Sequence, residues 1–259
     1  MRNPRRYGPP PFTVAVVHGG PGAPSGMAPV ARDLSSTMGV VEPLQTSDSL
    51  EGQVEELKAI LVEEGSPFTL VGWSWGAWLS ILVASGHPHL VRKLILVGSG
   101  PFQEEYATSI MPTRMRRLER DEQDEVTMLL DKLESRASKD RDVLMTRLGT
   151  IISRADSYES VGSEEEPLGS QYEIHRRVWE RASEMRRSGE LLEAVKGIEC
   201  PVVAVHGDFD PHPYEGVMDP LSELLPDFRF ILLRRCGHTP WIERHARDEF
   251  FRVLRSEIG

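Results

Sequence analysis

Phe68-Thr-Leu-Val-Gly-Trp-Ser74-Trp-Gly76 runs without a break into Ala77-Trp-Leu-Ser-Ile-Leu-Val-Ala-Ser85, and this stretch decides the fold. Its first half, Phe68 to Trp73, is short, apolar and β-prone, as a strand buried on both faces should be. Its second half is a longer apolar run closed by Gly86 and Pro88, the signature of a buried helix that stops there. A glycine-flanked serine sits where strand turns into helix. G-x-S-x-G is short enough to arise by chance, but the strand–turn–helix setting gives it mechanical sense. A sharp turn exposes the hydroxyl, and glycines let the neighbouring backbones close around it.

Working outward, Phe12 to Val17 is another buried-strand run, ending abruptly in His18-Gly-Gly-Pro-Gly22. Gly39 to Glu42 is a weaker strand. Leu50 to Glu64 has helical spacing, with Val54, Leu57, Ile60 and Leu61 on one face. Val91 to Val97 is again a strand. This alternation predicts a mostly parallel α/β sheet. From Pro101 onward β-rich runs vanish and helical spacing takes over: Val126, Leu129, Leu130 and Leu133 share one face, and Ile174, Val178, Ala182 and Met185 share another. The stretch 160–169 reads as a loop. Strands resume at Pro201 to Val205 and Arg229 to Leu233, and the chain closes in a helix from about Pro240 to Arg255. The expected organisation is a sheet core of residues 1–100 and 197–259, interrupted by a helical cap over 101–196.

Composition sets limits on function. The 259 residues carry 30 Lys+Arg against 40 Asp+Glu, a formal net charge of −10. That length suits one large α/β domain or a core with an inserted lobe. The acidic balance disfavours nucleic acid or an anionic membrane as partner, since either calls for a basic face. Two cysteines, Cys200 and Cys236, cannot build a disulfide framework, so free thiols and a cytoplasmic location are expected. Arg2, Arg5 and Arg6 could open a signal peptide. Pro9 to Pro11 follow them, however, and the apolar run to Val17 falls short of the roughly 7 to 15 residues a signal needs.

An activated serine requires a base, and its developing oxyanion requires donors. The N–H of Trp75, at the helix start, and that of Gly20, in the glycine loop after the preceding strong strand, are the expected oxyanion hole. His18 reads as a brace for that loop rather than a base. His206-Gly-Asp208-Phe-Asp210-Pro follows one late strand, and Cys236-Gly-His238-Thr-Pro-Trp241 follows the last. Carboxylates and an imidazole therefore reach the same C-terminal sheet edge, where open α/β sheets collect their ligands. The order Ser, Asp, His suits this architecture. Cys236 reads as a small packed hydrophobe. No Cys, His or Asp spacing resembles a metal site.

Taken together, the HGGPG loop, the GWSWGA turn, Leu94-Ile-Leu-Val-Gly98, Cys200-Pro-Val-Val, the HGxxD segment and the GHTPW segment resemble the α/β-hydrolase fold superfamily, specifically its small capped members. The resemblance implies Ser74 as nucleophile, His238 as general base and then acid, and Asp210, favoured over Asp208 by family spacing, as the group orienting His238. The HGGPG wording and the Trp after the serine look most like the prolyl-iminopeptidase branch, which usually has Gly where Trp73 stands. Relatives usually open with a hairpin or two strands before the oxyanion loop, yet only eleven residues precede Phe12. A sheet of about six strands lacking that hairpin is therefore expected. The Arg-Gly-rich turn of relatives is replaced by residues 42–47. Trp73 and Trp241 are the candidate walls of an apolar substrate pocket, although they and Trp75 could equally be core. Glu164 to Glu166 is an acidic run that could meet a substrate amine or simply face solvent. The expected function is a cofactor-free serine hydrolase cleaving an ester or amide of a small molecule through an acyl-enzyme. The alternatives are a prolyl-iminopeptidase-type aminopeptidase and a hydrolase-fold ligand-binding protein without turnover. Substrate identity and oligomeric state are not legible.

Overall fold

A computed structural model describes residues 3–24, 26–65, 67–135, 138–162 and 169–259. The acidic run Glu164–Glu166 lies outside the described residues. Seven strands are formed: β1 (Arg5–Tyr7), β2 (Phe12–Val17), β3 (Gly39–Glu42), β4 (Phe68–Trp73), β5 (Val91–Val97), β6 (Val202–Gly207) and β7 (Phe228–Leu233). They pair in the order β1-β3-β2-β4-β5-β6-β7. All neighbours are parallel except β1, which runs antiparallel to β3 with Arg6 opposite Val41.

The mostly parallel sheet agrees with the expected fold class, and this edge strand is one more than the roughly six strands expected. Proline-flanked and carrying two arginines in three residues, it has no hydrophobic period to betray it. Its pairing with β3 is supported by side-chain contacts, as Tyr7 donates a 2.8 Å hydrogen bond to the buried carboxylate of Glu42.

Successive residues of the central strands face opposite sides, as the two-residue period requires. Ala15, Val17, Leu70, Leu94, Leu96 and Ala204 join one buried cluster. Val14, Val16, Val71, Ile95, Val97 and Val205 join the other. On the second side lie α1 (Ala28–Leu34) and α11 (Arg247–Ile258), through Val30, Leu34, Phe250 and Leu254. On the first lie α2 (Leu50–Glu64) and α3 (Trp75–Gly86). Helix α2 starts at Ser49, whose hydroxyl accepts from the N–H of Gly52 at 3.1 Å, and stops at Gly65 in the left-handed conformation.

Between β5 and β6 come α4 (Glu104–Ala107), α5 (Ile110–Arg117), α6 (Arg120–Glu134), α7 (Arg141–Ala155), α8 (Tyr172–Ser188) and α9 (Glu190–Val195), with α10 (Glu215–Leu224) following β6. Helices α6 and α7 share a small cluster of their own around Val126, Leu129, Leu148 and Ile151. By contrast Val178, Ala182 and Met185 of α8 and Leu191 and Val195 of α9 belong to the main core beside α3. Of the helices between β5 and β6, α6 and α7 thus pack around a core of their own, whereas α8 and α9 pack into the main core. Among the described residues no helix is long and apolar enough to cross a membrane.

Candidate active site

Ser74 stands between the end of β4 and the first residue of α3 with φ 53° and ψ −115°. A non-glycine residue in that region is strained by roughly 1–3 kcal/mol, and only a surrounding structure that over-determines the turn keeps it there. Here the hold is visible. The Ser74 N–H donates to the Val97 carbonyl at 2.9 Å. A Cβ on Gly72 would collide with the Gly76 carbonyl, and one on Gly76 with that of Val17, so both flanking glycines are sterically required.

The loop after β2 packs against this turn. After β2, Gly20 adopts φ 51°, and its carbonyl accepts from Ala23 at 2.9 Å. His18 is fully buried; its Nε2 accepts from the N–H of Gln45 at 3.2 Å, leaving Nδ1–H to donate to the Gly19 carbonyl at 2.8 Å. Burial pulls its pKa down to about 4. His18 is thus a neutral brace. Trp75 opens α3, where the first backbone N–H groups have no partner within the helix. Its indole Nε1–H donates to Gln53 at 2.9 Å, in the core.

After β6 and β7, the loops bearing Asp210 and His238 meet. His238 Nδ1 lies 2.7 Å from Asp210 Oδ2, and both side chains are buried. Asp208 is placed differently: its Oδ1 accepts from the Cys236 N–H at 3.2 Å, and the side chain stays partly exposed near Arg234. Burial would raise the Asp210 pKa, but attraction to His238, His212 and His206 outweighs it and holds the carboxyl well below its ordinary value. For His238, burial opposes the charged form, but the Asp210 charge and the hydrogen bond that His238 donates to that carboxylate overcome it, so its pKa is raised.

His212, which the sequence reading passed over, belongs to this group. Its Nδ1 is 2.7 Å and its backbone N–H 2.9 Å from Asp210 Oδ1. Its ring centroid lies 4.5 Å from that of His238. The residue stands two positions after Asp210 in the HGDFDPHP segment, and that adjacency was the available signal. The short bonds to one carboxylate account for the gathering.

Trp73 and Trp241, the candidate pocket walls, pack edge to face with centroids 5.0 Å apart, and Trp241 continues onto Phe250 in the α11 side of the core. Trp73 Nε1–H also donates to the His238 carbonyl at 2.9 Å, joining the serine turn to the histidine loop. Among the described residues the Ser74 hydroxyl makes no hydrogen bond. Such bonds often tighten only when substrate is bound.

Residues between β5 and β6 also hold the His238 loop. The His238 N–H donates to the Asp156 carbonyl, just past α7, at 2.9 Å, and the Asp156 carboxylate takes two 2.7 Å bonds from Arg114 of α5. Buried Glu243 accepts from the N–H groups of Gly237, Tyr158 and Glu159 at 3.0, 2.9 and 2.8 Å. Glu243→Ala leaves those three donors without their carboxylate. Taking the three bonds to one shared carboxylate as together worth about 3 kcal/mol, the upper value for a single charged hydrogen bond, and about 2–4 °C per kcal/mol for a chain near this size, the melting temperature is expected to fall by about 6–12 °C. Differential scanning calorimetry decides it; a drop under about 2 °C would mean the loop is held by other contacts.

Residues 14–253 match the family described as the alpha/beta hydrolase family. The chain belongs to that family. Among curated proteins it is similar to pimeloyl-[acyl-carrier protein] methyl ester esterases. That of Aromatoleum aromaticum is 25% identical over 195 residues, covering 73% of this chain and 74% of the relative. That of Proteus mirabilis is 25% identical over 213 residues, covering 81% and 72%. Solved structures of the same fold include VinJ, with a TM-score of 0.66 at 17% identity over 98% of this chain and 93% of that one. The Paleococcus ferrophilus monoacylglycerol lipase scores 0.65 at 16% identity, covering 100% and 98%.

Proposed function

We propose that the protein is a serine esterase acting on a small carboxylic ester, with residues 101–196 as its cap. The observation that carries this reading is the buried 2.7 Å contact between His238 Nδ1 and Asp210 Oδ2, at the same sheet edge as the strained Ser74. With Nδ1–H committed to the carboxylate, the neutral imidazole has its lone pair on Nε2. Nε2 takes the Ser74 proton as Oγ bonds to the ester carbonyl carbon, and the N–H groups of Gly20 and Trp75 hold the oxyanion. The tetrahedral adduct collapses, the C–O bond to the alcohol breaks, and the departing oxygen takes the proton from His238. Water, deprotonated by the same base, then releases the acid and restores Ser74. These steps call on no cofactor.

Esterase names among the curated relatives support this choice over amide cleavage, and so does the charge pattern. An aminopeptidase must give the substrate ammonium a carboxylate partner, and a buried partner of that kind is worth several kcal/mol. Among the described residues, two acids of the segment between β5 and β6 are already paired: Asp156 with Arg114 and Glu104 with Arg186. p-Nitrophenyl butyrate is therefore expected to be hydrolysed with kcat/KM at least about 100-fold above that for proline p-nitroanilide. Equal or greater turnover of the prolyl amide would replace the esterase reading with the iminopeptidase one.

A further inference from the structure

We propose that His212 is a positioning residue of the catalytic apparatus, a second imidazole that fixes the Asp210 carboxylate by occupying the oxygen His238 leaves free. This rests on the triad reading above. Asp210 receives His238 on Oδ2 at 2.7 Å, and on Oδ1 both the ring Nδ1 and the main-chain N–H of His212, at 2.7 and 2.9 Å. A carboxylate so held cannot rotate about its Cβ–Cγ bond without breaking all three bonds at once. The loop carrying His212 is fixed independently of its ring. His206 Nε2–H donates to the His212 carbonyl at 2.9 Å, and Pro211 and Pro213 restrict the backbone on either side. Burial keeps the His212 imidazole neutral, its pKa pulled down to about 4. It is therefore a dipole whose positive end points at Asp210, not a competing cation.

The arrangement affects the base as well as the carboxylate. A donor on Oδ1 draws part of the Asp210 charge away from His238. Without it, more of that charge bears on His238, the imidazolium is favoured, and the His238 pKa rises. Since the base must be neutral to accept the serine proton, the rise of kcat/KM with pH would then begin at higher pH. The other groups facing this cluster are His206 of β6, Arg114 and Arg117 of α5, and Asp156 beyond α7. All are common to the variants compared.

Histidine Nδ1 is the same number of bonds from Cα as the amide nitrogen of asparagine and a δ-methyl of leucine. His212→Asn and His212→Leu are therefore matched in shape and differ in the donor. The His212→Leu variant is expected to lose about tenfold in kcat on p-nitrophenyl butyrate, with little change in KM, and to shift the acid limb up by about one pH unit. His212→Asn should stay close to the parent in both. Nitrogen-15 NMR of the labelled imidazoles reads the same quantities without turnover. In the parent at pH 7, His212 should be the neutral Nδ1–H tautomer, and His238 should titrate higher in His212→Leu than in His212→Asn. Identical behaviour of the two variants, or an Nε2–H or charged His212 in the parent, overturns the proposal. Should the parent hydrolyse no ester and take up no fluorophosphonate, the esterase reading fails, while the NMR comparison still decides how His212 acts on Asp210 and His238.

Discussion

Ser74→Ala is expected to abolish ester turnover, lowering kcat by about 10⁶-fold, the scale seen when a serine-hydrolase nucleophile is removed. The parent is expected to take up one fluorophosphonate group, at Ser74, as read by intact mass, and the variant none. The size of the effect follows from the proposed chemistry. Without Oγ no acyl-enzyme forms, and what remains is whatever the oxyanion donors and binding supply to direct attack by water. The substitution is also structurally mild: alanine keeps the Cβ already accommodated at φ 53°, and the backbone bond from Ser74 N–H to Val97 is untouched. An unchanged melting temperature should accompany the loss of activity. A variant keeping more than about one part in 10³ of kcat would remove Ser74 from the nucleophile's role. An unlabelled parent would favour a ligand-binding protein without turnover.

Legibility in the sequence tracked how local the determining physics is. β4, the turn at Ser74 and α3 could be read because continuous apolar strands, glycine contacts and a helix stop are each encoded within a few residues. The ends of α2 agree with Leu50 to Glu64 for the same reason, since its serine cap and its terminal glycine are both local signals. β1 escaped because it is held from outside, by three residues of pairing with β3 and by Tyr7 reaching Glu42. Trp73 and Trp241 show a related limit. Their position beside Ser74 and His238 in sequence left pocket wall and core equally open, because the direction of an indole is set by tertiary packing, here of the two rings against each other and of Trp241 against Phe250. His212 was missed for a chemical reason. A histidine two residues past a carboxylate is unremarkable until folding turns both of its donors onto one oxygen. The grip of Arg114, Asp156 and Glu243 on the His238 loop joins residues far apart in the chain, and no spacing could have announced it.

Asp210→Asn is expected to lower kcat by about 10⁴-fold, while Asp208→Asn stays within about fivefold of the parent. Three N–H groups converge on the Asp210 carboxylate: Nδ1 of His238, Nδ1 of His212 and the main-chain N–H of His212. An asparagine presents one acceptor oxygen and one donor to the same set. If its oxygen faces His212, its NH₂ confronts His238 Nδ1–H, and the imidazole must move its proton to Nε2, the atom that has to accept from Ser74. If it faces His238, the two His212 donors meet an NH₂ group, and the support of the other oxygen is lost. Either way the imidazolium formed during the reaction loses its full counter-charge in a buried site, where such a charge weighs most. Asp208 offers the contrast because its Oδ1 accepts from the Cys236 N–H and its ion pair with Arg234 is open to solvent. The asparagine oxygen can replace that acceptor, and an exposed pair contributes little. Steady-state kinetics of both variants on p-nitrophenyl butyrate at several pH values give the comparison. Equal losses, or a larger loss at Asp208, would move the acid's role away from Asp210 and with it the basis for reading His212 as that residue's support.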